Sequence, residues 1–192
     1  MKRTSGPSAK RSPSTRRPAA SMDAALREYI AKTDRYRAGR DPVKLLEAGP
    51  ARIARAVRGL TRQQLQRRPA RGKWSILEIL GHLHDTEVVY GYRWRLMAAQ
   101  PGAPILGYDQ ELWARELKHR RADANRILGE IAALRRATLG VIRRIPRREW
   151  PRRYGRHTER GRETLLRSME LIAGHDLNHL DQIRAIRARF GW

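Results

Sequence analysis

The spacing of apolar residues is the feature that most constrains the fold of this chain. Large apolar side chains recur every three or four residues in four stretches, which cover residues 42–60, 76–97, 123–145 and 164–190. That period is typical of α-helices with one buried face. No segment sustains the two-residue alternation of a half-buried strand. The pattern therefore predicts an all-α fold, a four-helix bundle with short accessory helices in its connections.

Local signals indicate where two of these helices begin. Asp41 followed by Pro42 is typical of an N-cap and a first helical residue. Ser75 with Glu78 matches a capping box, in which the two side chains bond free backbone amides of the first turn. Within the first long helix, the pair Gly49-Pro50 predicts a kink or a break, because proline lacks the amide donor.

The N-terminus differs in composition from the rest. Residues 1–21 are rich in Ser, Pro, Arg and Lys and nearly lack large apolar side chains. Such a segment cannot bury enough surface to offset its ordering entropy, which predicts a disordered basic tail. Residues 22–192 form the predicted bundle domain, since about 170 residues suit one domain.

The sequence lacks a long apolar run and a secretory signal pattern, so we expect a cytoplasmic protein without membrane spans.

The chain carries a formal net charge of +23, mostly from arginine. A genome rich in G and C can produce that bias without any functional demand, and we favour this interpretation. The alternative hypothesis is a non-enzymatic basic protein that binds nucleic acid or an acidic partner. The arginine-dense segment 143–162 is its main support, but no known nucleic-acid-binding motif is present.

Two histidines near the C-terminus provide the first chemical signal. His175 and His179 are four residues apart within the last predicted helix. Side chains at that spacing share one face, with their Cβ atoms roughly 5–6 Å apart, so both imidazoles can reach one metal ion. Two hydrogen-bonded histidines at the edge of a core would give the same pattern, so the pair alone does not decide.

The second long helix offers a third ligand. His82 lies beside Ile79 and Thr86 at the margin of the inward face. The step of about 100° per residue turns His84 about 200° away from it, towards solvent. One histidine from this helix and two from the last would form a three-histidine metal site.

Several separated motifs resemble the DinB superfamily, the DinB/YfiT-like metalloenzymes. They occur in the family's order and span residues 36–192. In chain order they are Gly39–Pro42, Lys73–Glu78, His82–Glu87, Gly107–Trp113, Glu149-Trp150 and His175–His179. The resemblance implies a four-helix bundle in which His82, His175 and His179 hold the metal, and frequently a homodimer. It also implies transfer chemistry with low-molecular-weight thiols, as in bacillithiol S-transferases and mycothiol-dependent maleylpyruvate isomerases, while many members are described only as metal-dependent hydrolases.

Three neutral imidazoles would leave a coordination position open for water or substrate, as in catalytic zinc sites. All-nitrogen ligation suits zinc, nickel or iron(II), and it also suits copper. The chain has no cysteine, so any thiol must come from a small cofactor. We therefore expect a metal-dependent S-transferase or hydrolase that acts on a small molecule.

The polar residues near the three histidines carry further expectations. Asp176 could act as a general base, orient a ligand histidine or lie solvated on the helix, and we favour the last two roles. For Asp85 and Glu87, surface pairing with arginines is at least as plausible as catalysis. His157 could approach the pocket, but we expect it in an exposed loop. We expect His119, within an Arg/Lys run, to be solvated.

Overall fold

The computed structural model describes residues 19–192. The predicted tail, residues 1–21, lies outside the described residues except for its last three, which begin the first helix. No described helix combines the length and apolar character needed to cross a bilayer. The helices are α1 (Ala19–Arg37), α2 (Pro42–Val57), α3 (Arg62–Gln66), α4 (Ile76–Ala99), α5 (Gln110–Glu116), α6 (Ala124–Ile142) and α7 (Leu165–Phe190), with 3₁₀ turns at His119–Arg121 and Arg147–Glu149.

The long helices α2, α4, α6 and α7 form the predicted four-helix bundle. Both α6 and α7 pack against α2 and α4, and α1 lies along α7. The predicted caps are present: Asp41 accepts bonds from the backbone amides of Val43 and Lys44, and Ser75 with Glu78 closes a capping box. Helix α2 continues through Pro50, so the predicted interruption does not end it.

A small sheet lies in two connections that the apolar pattern left without structure. Strands β1 (Ala103–Ile105), β2 (Tyr154–His157) and β3 (Gly161–Thr164) form it. Strand β2 is central, parallel to β1 and antiparallel to β3. Strands of three or four residues are too short to show a two-residue alternation, which is why the sequence did not reveal them. The sheet is a minor addition to a mostly helical fold.

The bundle contains two apolar clusters separated by a polar layer. One cluster includes Leu46, Trp94, Leu139 and Ile172, and the other includes Ile53, Leu80, Ile131 and Ile183. Each bundle helix contributes to both clusters. Between them, the helices carry the buried polar side chains Glu87, Arg135, His175, Asp176 and His179. This arrangement places the chemistry-bearing residues in the middle of the bundle.

Helices α1 and α7 approach each other closely at Gly174. A Cβ atom at this position would lie well inside van der Waals distance of the backbone carbonyl of Thr33. Glycine is therefore needed for the close approach. Since α1 carries Leu26 and Tyr29 into the wall of a pocket described below, this contact also shapes that pocket.

We expect Gly174→Ala to lower the free energy of unfolding by about 1–3 kcal/mol, because overpacking against backbone forces the helices apart. Gly140→Ala is the matched control, since Gly140 lies within α6 and a Cβ there meets nothing within 4 Å. The control should stabilise the protein by about 0.5–1 kcal/mol through helix propensity. Urea denaturation measures both, and equal effects of the two substitutions would contradict the assigned close contact.

Candidate metal centre

The three histidines identified from the sequence converge inside the bundle. His82 from α4 and His175 from α7 place their Nε2 atoms 2.9 Å apart, and the Nε2 atoms of His175 and His179 are 3.1 Å apart. All three side chains are buried. They are the group of potential metal ligands found among the described residues. Trp74, just before α4, packs its ring against those of His82 and His179 and forms one wall of the site.

Burial keeps two of these imidazoles, those of His82 and His179, neutral. Burial lowers the pKa of His179 to about 3, helped by the neighbouring His175. Burial also lowers the pKa of His82 well below its ordinary value of 6.5, and the other two histidines add to the shift. The Nδ1 atom of His179 lies 2.9 Å from Oε1 of Gln182. Because an amide oxygen only accepts, this Nδ1 carries the proton and Nε2 presents its lone pair to the cluster.

The donor set fits a divalent transition metal. Imidazole Nε2 atoms 2.9 and 3.1 Å apart repel unless a proton or a cation lies between them. Zinc–nitrogen bonds of ~2.0–2.1 Å place two tetrahedral ligands roughly 3.3 Å apart, close to the observed spacing. Imidazole also suits nickel, iron and copper, so the ligands do not select one metal.

A buried ion-pair network centred on Arg135 of α6 lies beside the histidines. Its guanidinium binds both carboxylate oxygens of Glu87 on α4, and its Nη2 donates to Oδ2 of Asp176 on α7 at 2.9 Å. Its Nη1 donates to the carbonyl of Leu46 on α2 at 2.8 Å. That carbonyl is free because Pro50, four residues later, has no amide hydrogen to bond it. One guanidinium therefore connects all four bundle helices.

Asp176 is not solvated, which corrects one of the two favoured expectations. It is 5% exposed, and the guanidinium of Arg135 lowers the pKa of its carboxyl group against the opposing effect of burial. Its second oxygen, Oδ1, has no hydrogen-bond partner among the described residues, and neither does Nδ1 of His175. The two atoms are 3.6 Å apart. Asp176 thus lies beside Nδ1 of His175, on the side of that ring away from the cluster.

His119 is buried rather than solvated. Its Nε2 lies 2.6 Å from Oδ2 of Asp85, and its ring packs over Gly81, where a Cβ would collide with it. The expected surface pairing of Asp85 and Glu87 with arginines is also wrong as to location, because both carboxylates are buried. Among the described residues, Glu87 pairs with an arginine, whereas Asp85 pairs with His119. The basic residues around His119 are typical of an exposed segment, so the sequence pattern did not predict its burial.

His84 lies outside the cluster, as its helical phase predicts. It is partly exposed, with Nε2 3.2 Å from a carboxylate oxygen of Glu130 on α6.

The histidine cluster opens into a pocket of about 410 Å³. His82 and His175 line it at one end, together with Thr86 of α4. His157 also lines it and is buried at the end of β2, so the expectation of an exposed loop histidine is wrong. Two arginines that the sequence did not distinguish from the others, Arg93 and Arg160, reach the same pocket.

Comparison with known proteins agrees with this geometry. A family model described as the DinB superfamily matches residues 45–183, well over half of the chain. The chain belongs to the DinB superfamily. The match includes all three histidines of the cluster.

Individual relatives are more distant. YfiT of Bacillus subtilis (strain 168) is 23% identical over 150 residues, which cover 78% of this chain and 84% of YfiT. A Bacillus mycoides (strain KBAB4) protein is also 23% identical over 150 residues, covering 86% of its length. Both carry the name "Putative metal-dependent hydrolase". The solved structure of YfiT, described as an unusual four-helix bundle, matches 95% of each chain with a TM-score of 0.73 and 21% identity. The fold is therefore shared.

We expect Arg135→Met to lower the free energy of unfolding by about 3–5 kcal/mol, because it leaves two buried carboxylates without their cation. Arg136→Met is the matched control: Arg136 is the next residue of α6 but is exposed. Its effect should stay within about 0.5 kcal/mol. Chemical denaturation measures both variants, and similar values for the two would show that the network is not stabilising.

The buried neutral histidines also predict a pH dependence of the metal-free protein. The folded protein keeps His179 unprotonated down to about pH 3, whereas the unfolded chain takes up the proton below about 6.5. Stability should therefore fall as pH is lowered from 6.5, with each such histidine contributing a slope of about 1.4 kcal/mol per pH unit. We expect His179→Gln to have a shallower slope between pH 6 and 4. Denaturation with chelator present measures it, and identical slopes would contradict the assignment.

Proposed function

We propose that this protein is a metal-dependent enzyme that activates a small nucleophile, water or a low-molecular-weight thiol, towards a small molecule bound in the pocket. The observation that carries the proposal is the convergence of three buried, hydrogen-bonding Nε2 atoms, with His82 and His175 lining a cavity of about 410 Å³. Cavities of this size suit small ligands.

His82, His175 and His179 would hold the metal. A divalent cation bound by three imidazoles retains a position for water or a thiol and lowers the pKa of that ligand to near neutral or below. The protein's own contribution is to bring the three imidazoles together and to keep those of His82 and His179 neutral by burial. The ring of Trp74 packs beside those of His82 and His179, and the pocket lined by His82 and His175 gives a substrate access to the cluster.

Asp176 would act as a positioning residue rather than a general base. Its Oδ2 is held by Arg135, and the lowered pKa of its carboxyl group disfavours proton uptake at neutral pH. Its free Oδ1 faces Nδ1 of His175 at 3.6 Å. A small rotation of either side chain would allow Nδ1 to donate to the carboxylate, which fixes the tautomer whose Nε2 faces the metal.

Hydrolysis and thiol transfer need the same site and differ in the nucleophile. The names of the Bacillus relatives support hydrolysis. The resemblance to thiol-dependent members of the superfamily supports transfer, for which the thiol must be supplied from outside because the chain has no cysteine. The nucleophile can be identified by assaying metal-loaded protein against activated esters, amides and electrophiles, with and without low-molecular-weight thiols.

We expect the purified protein to bind about one divalent transition metal ion per chain. His179→Ala should weaken binding at least tenfold, whereas His84→Ala, which removes a nearby histidine outside the cluster, should leave it unchanged. Elemental analysis and competition with a chromogenic chelator measure both. The absence of stoichiometric metal, or equal affinities of the two variants, would refute the site. Metal-dependent turnover that is lost in His179→Ala, with or without thiol, would support the proposed activity.

A further inference from the structure

We propose that the end of the pocket remote from the three-histidine cluster binds a carboxylate group of the ligand. The groups that bind it are the guanidinium groups of Arg93 and Arg160 and the Nε2–H group of His157. This inference rests on the proposed function for what happens at the metal end. It adds the chemical class of the substrate, a small molecule that carries a carboxylate away from the reacting bond.

The pocket is elongated along α4. Four residues of that helix line it on successive turns: His82, Thr86, Tyr90 and Arg93. Eleven residues of α-helix span about 16 Å, so the ligand histidine and the arginine lie at opposite ends of the same wall. A ligand that reaches the metal with one end can meet Arg93 with the other.

Arg93 is a buried cation without an anionic partner in the described part of the chain. Its side chain is 4% exposed, and its described hydrogen bond goes to the carbonyl of Leu106. The guanidinium packs over the ring of Tyr90 at 4.8 Å and near that of Tyr108 at 5.9 Å. Buried arginines are almost always paired, because desolvating an isolated charge is costly. An anionic ligand in the pocket would supply the missing counter-charge.

Further donors surround the same space. Arg160 binds Glu163 through Nε and donates through Nη2 to the hydroxyl of Tyr90 at 3.3 Å. The Nδ1 atom of His157 accepts the backbone N–H of Glu159 at 3.1 Å, so the neutral ring carries its proton on Nε2. That Nε2 is buried and has no partner among the described residues. A buried donor without an acceptor is uncommon in native proteins and indicates a group that a ligand completes.

The surrounding charges favour a singly charged anion. Three carboxylates also line the pocket, those of Asp109, Glu111 and Glu159, and all three residues are exposed at its rim. They would repel a phosphate dianion more strongly than a carboxylate. The planar guanidinium of Arg93 also matches a carboxylate in geometry, since both can form two parallel hydrogen bonds.

Calorimetric titration of the chelator-treated, full-length protein tests this assignment without a contribution from the metal. The probes are hexanoate, hexanamide and inorganic phosphate, the first two matched in length and shape. We expect hexanoate to bind at least about tenfold more tightly than hexanamide or phosphate. Arg93→Met should abolish the preference. Arg95→Met should retain it, because Arg95 is on the same helix but bonds Gly91 and Thr138 outside the pocket.

Thermal unfolding distinguishes a role of Arg93 in ligand binding from a role in folding. An arginine kept only for structure would make Arg93→Met less stable, whereas removing an unpaired buried cation should leave its melting temperature equal or higher. If that variant does not fold, His157→Phe provides the second test and should weaken hexanoate without affecting hexanamide. Equal binding of hexanoate and hexanamide to the unmodified protein, tighter binding of phosphate, or an unchanged preference in Arg93→Met would each overturn the proposal.

The result of the hexanoate titration does not depend on whether the protein binds a metal. A hexanoate preference in protein that binds no metal would support the carboxylate site while refuting the proposed function. Stoichiometric metal and turnover without any preference for hexanoate would refute the carboxylate site alone.

Discussion

The bundle depends on one guanidinium. Arg135 of α6 binds groups on α2, α4 and α7, so each of the four principal helices contributes to a single buried hydrogen-bonded network. Apolar clusters on either side supply the hydrophobic stabilisation, but apolar contacts are not directional and tolerate small shifts of one helix along another. Hydrogen bonds require defined distances and angles. The polar layer therefore sets the position of each helix along the bundle axis.

That constraint extends to the histidine cluster. Asp176 directly follows His175, and Glu87 is little more than one turn from His82, so fixing the two carboxylates also fixes histidines of the cluster on two different helices. The layer is electrostatically suited to a neighbouring cation, because Arg135 lowers the pKa of Asp176 and so keeps a buried carboxylate ionised beside His175. Three converging imidazole nitrogens next to a buried carboxylate together make the centre of this bundle a favourable place for a divalent metal.

Much of this arrangement could be predicted from the sequence, and the failures have a common origin. Helical periodicity and capping patterns are local, so they located the bundle helices and placed His82 on the inward face of α4, together with the pair His175 and His179. The burial of His119 and His157 depends on contacts with distant segments, over Gly81 in one case and in a strand of four residues in the other. Arg135 and Arg93 looked like any of the numerous surface arginines. A side chain's burial among 42 basic residues is decided by tertiary packing, which periodicity does not encode.

Pro50 shows how a residue that weakens a helix can become part of its support. Because Pro50 has no amide hydrogen, the carbonyl of Leu46 inside the bundle lacks its usual helical donor. That carbonyl instead accepts a hydrogen bond from Arg135. Replacement of Pro50 by another residue would offer the carbonyl a competing intrahelical donor, while loss of Arg135 would leave it unsatisfied. Selection should consequently act on the two positions jointly, so that in the evolution of related sequences the proline and the arginine are kept or lost together.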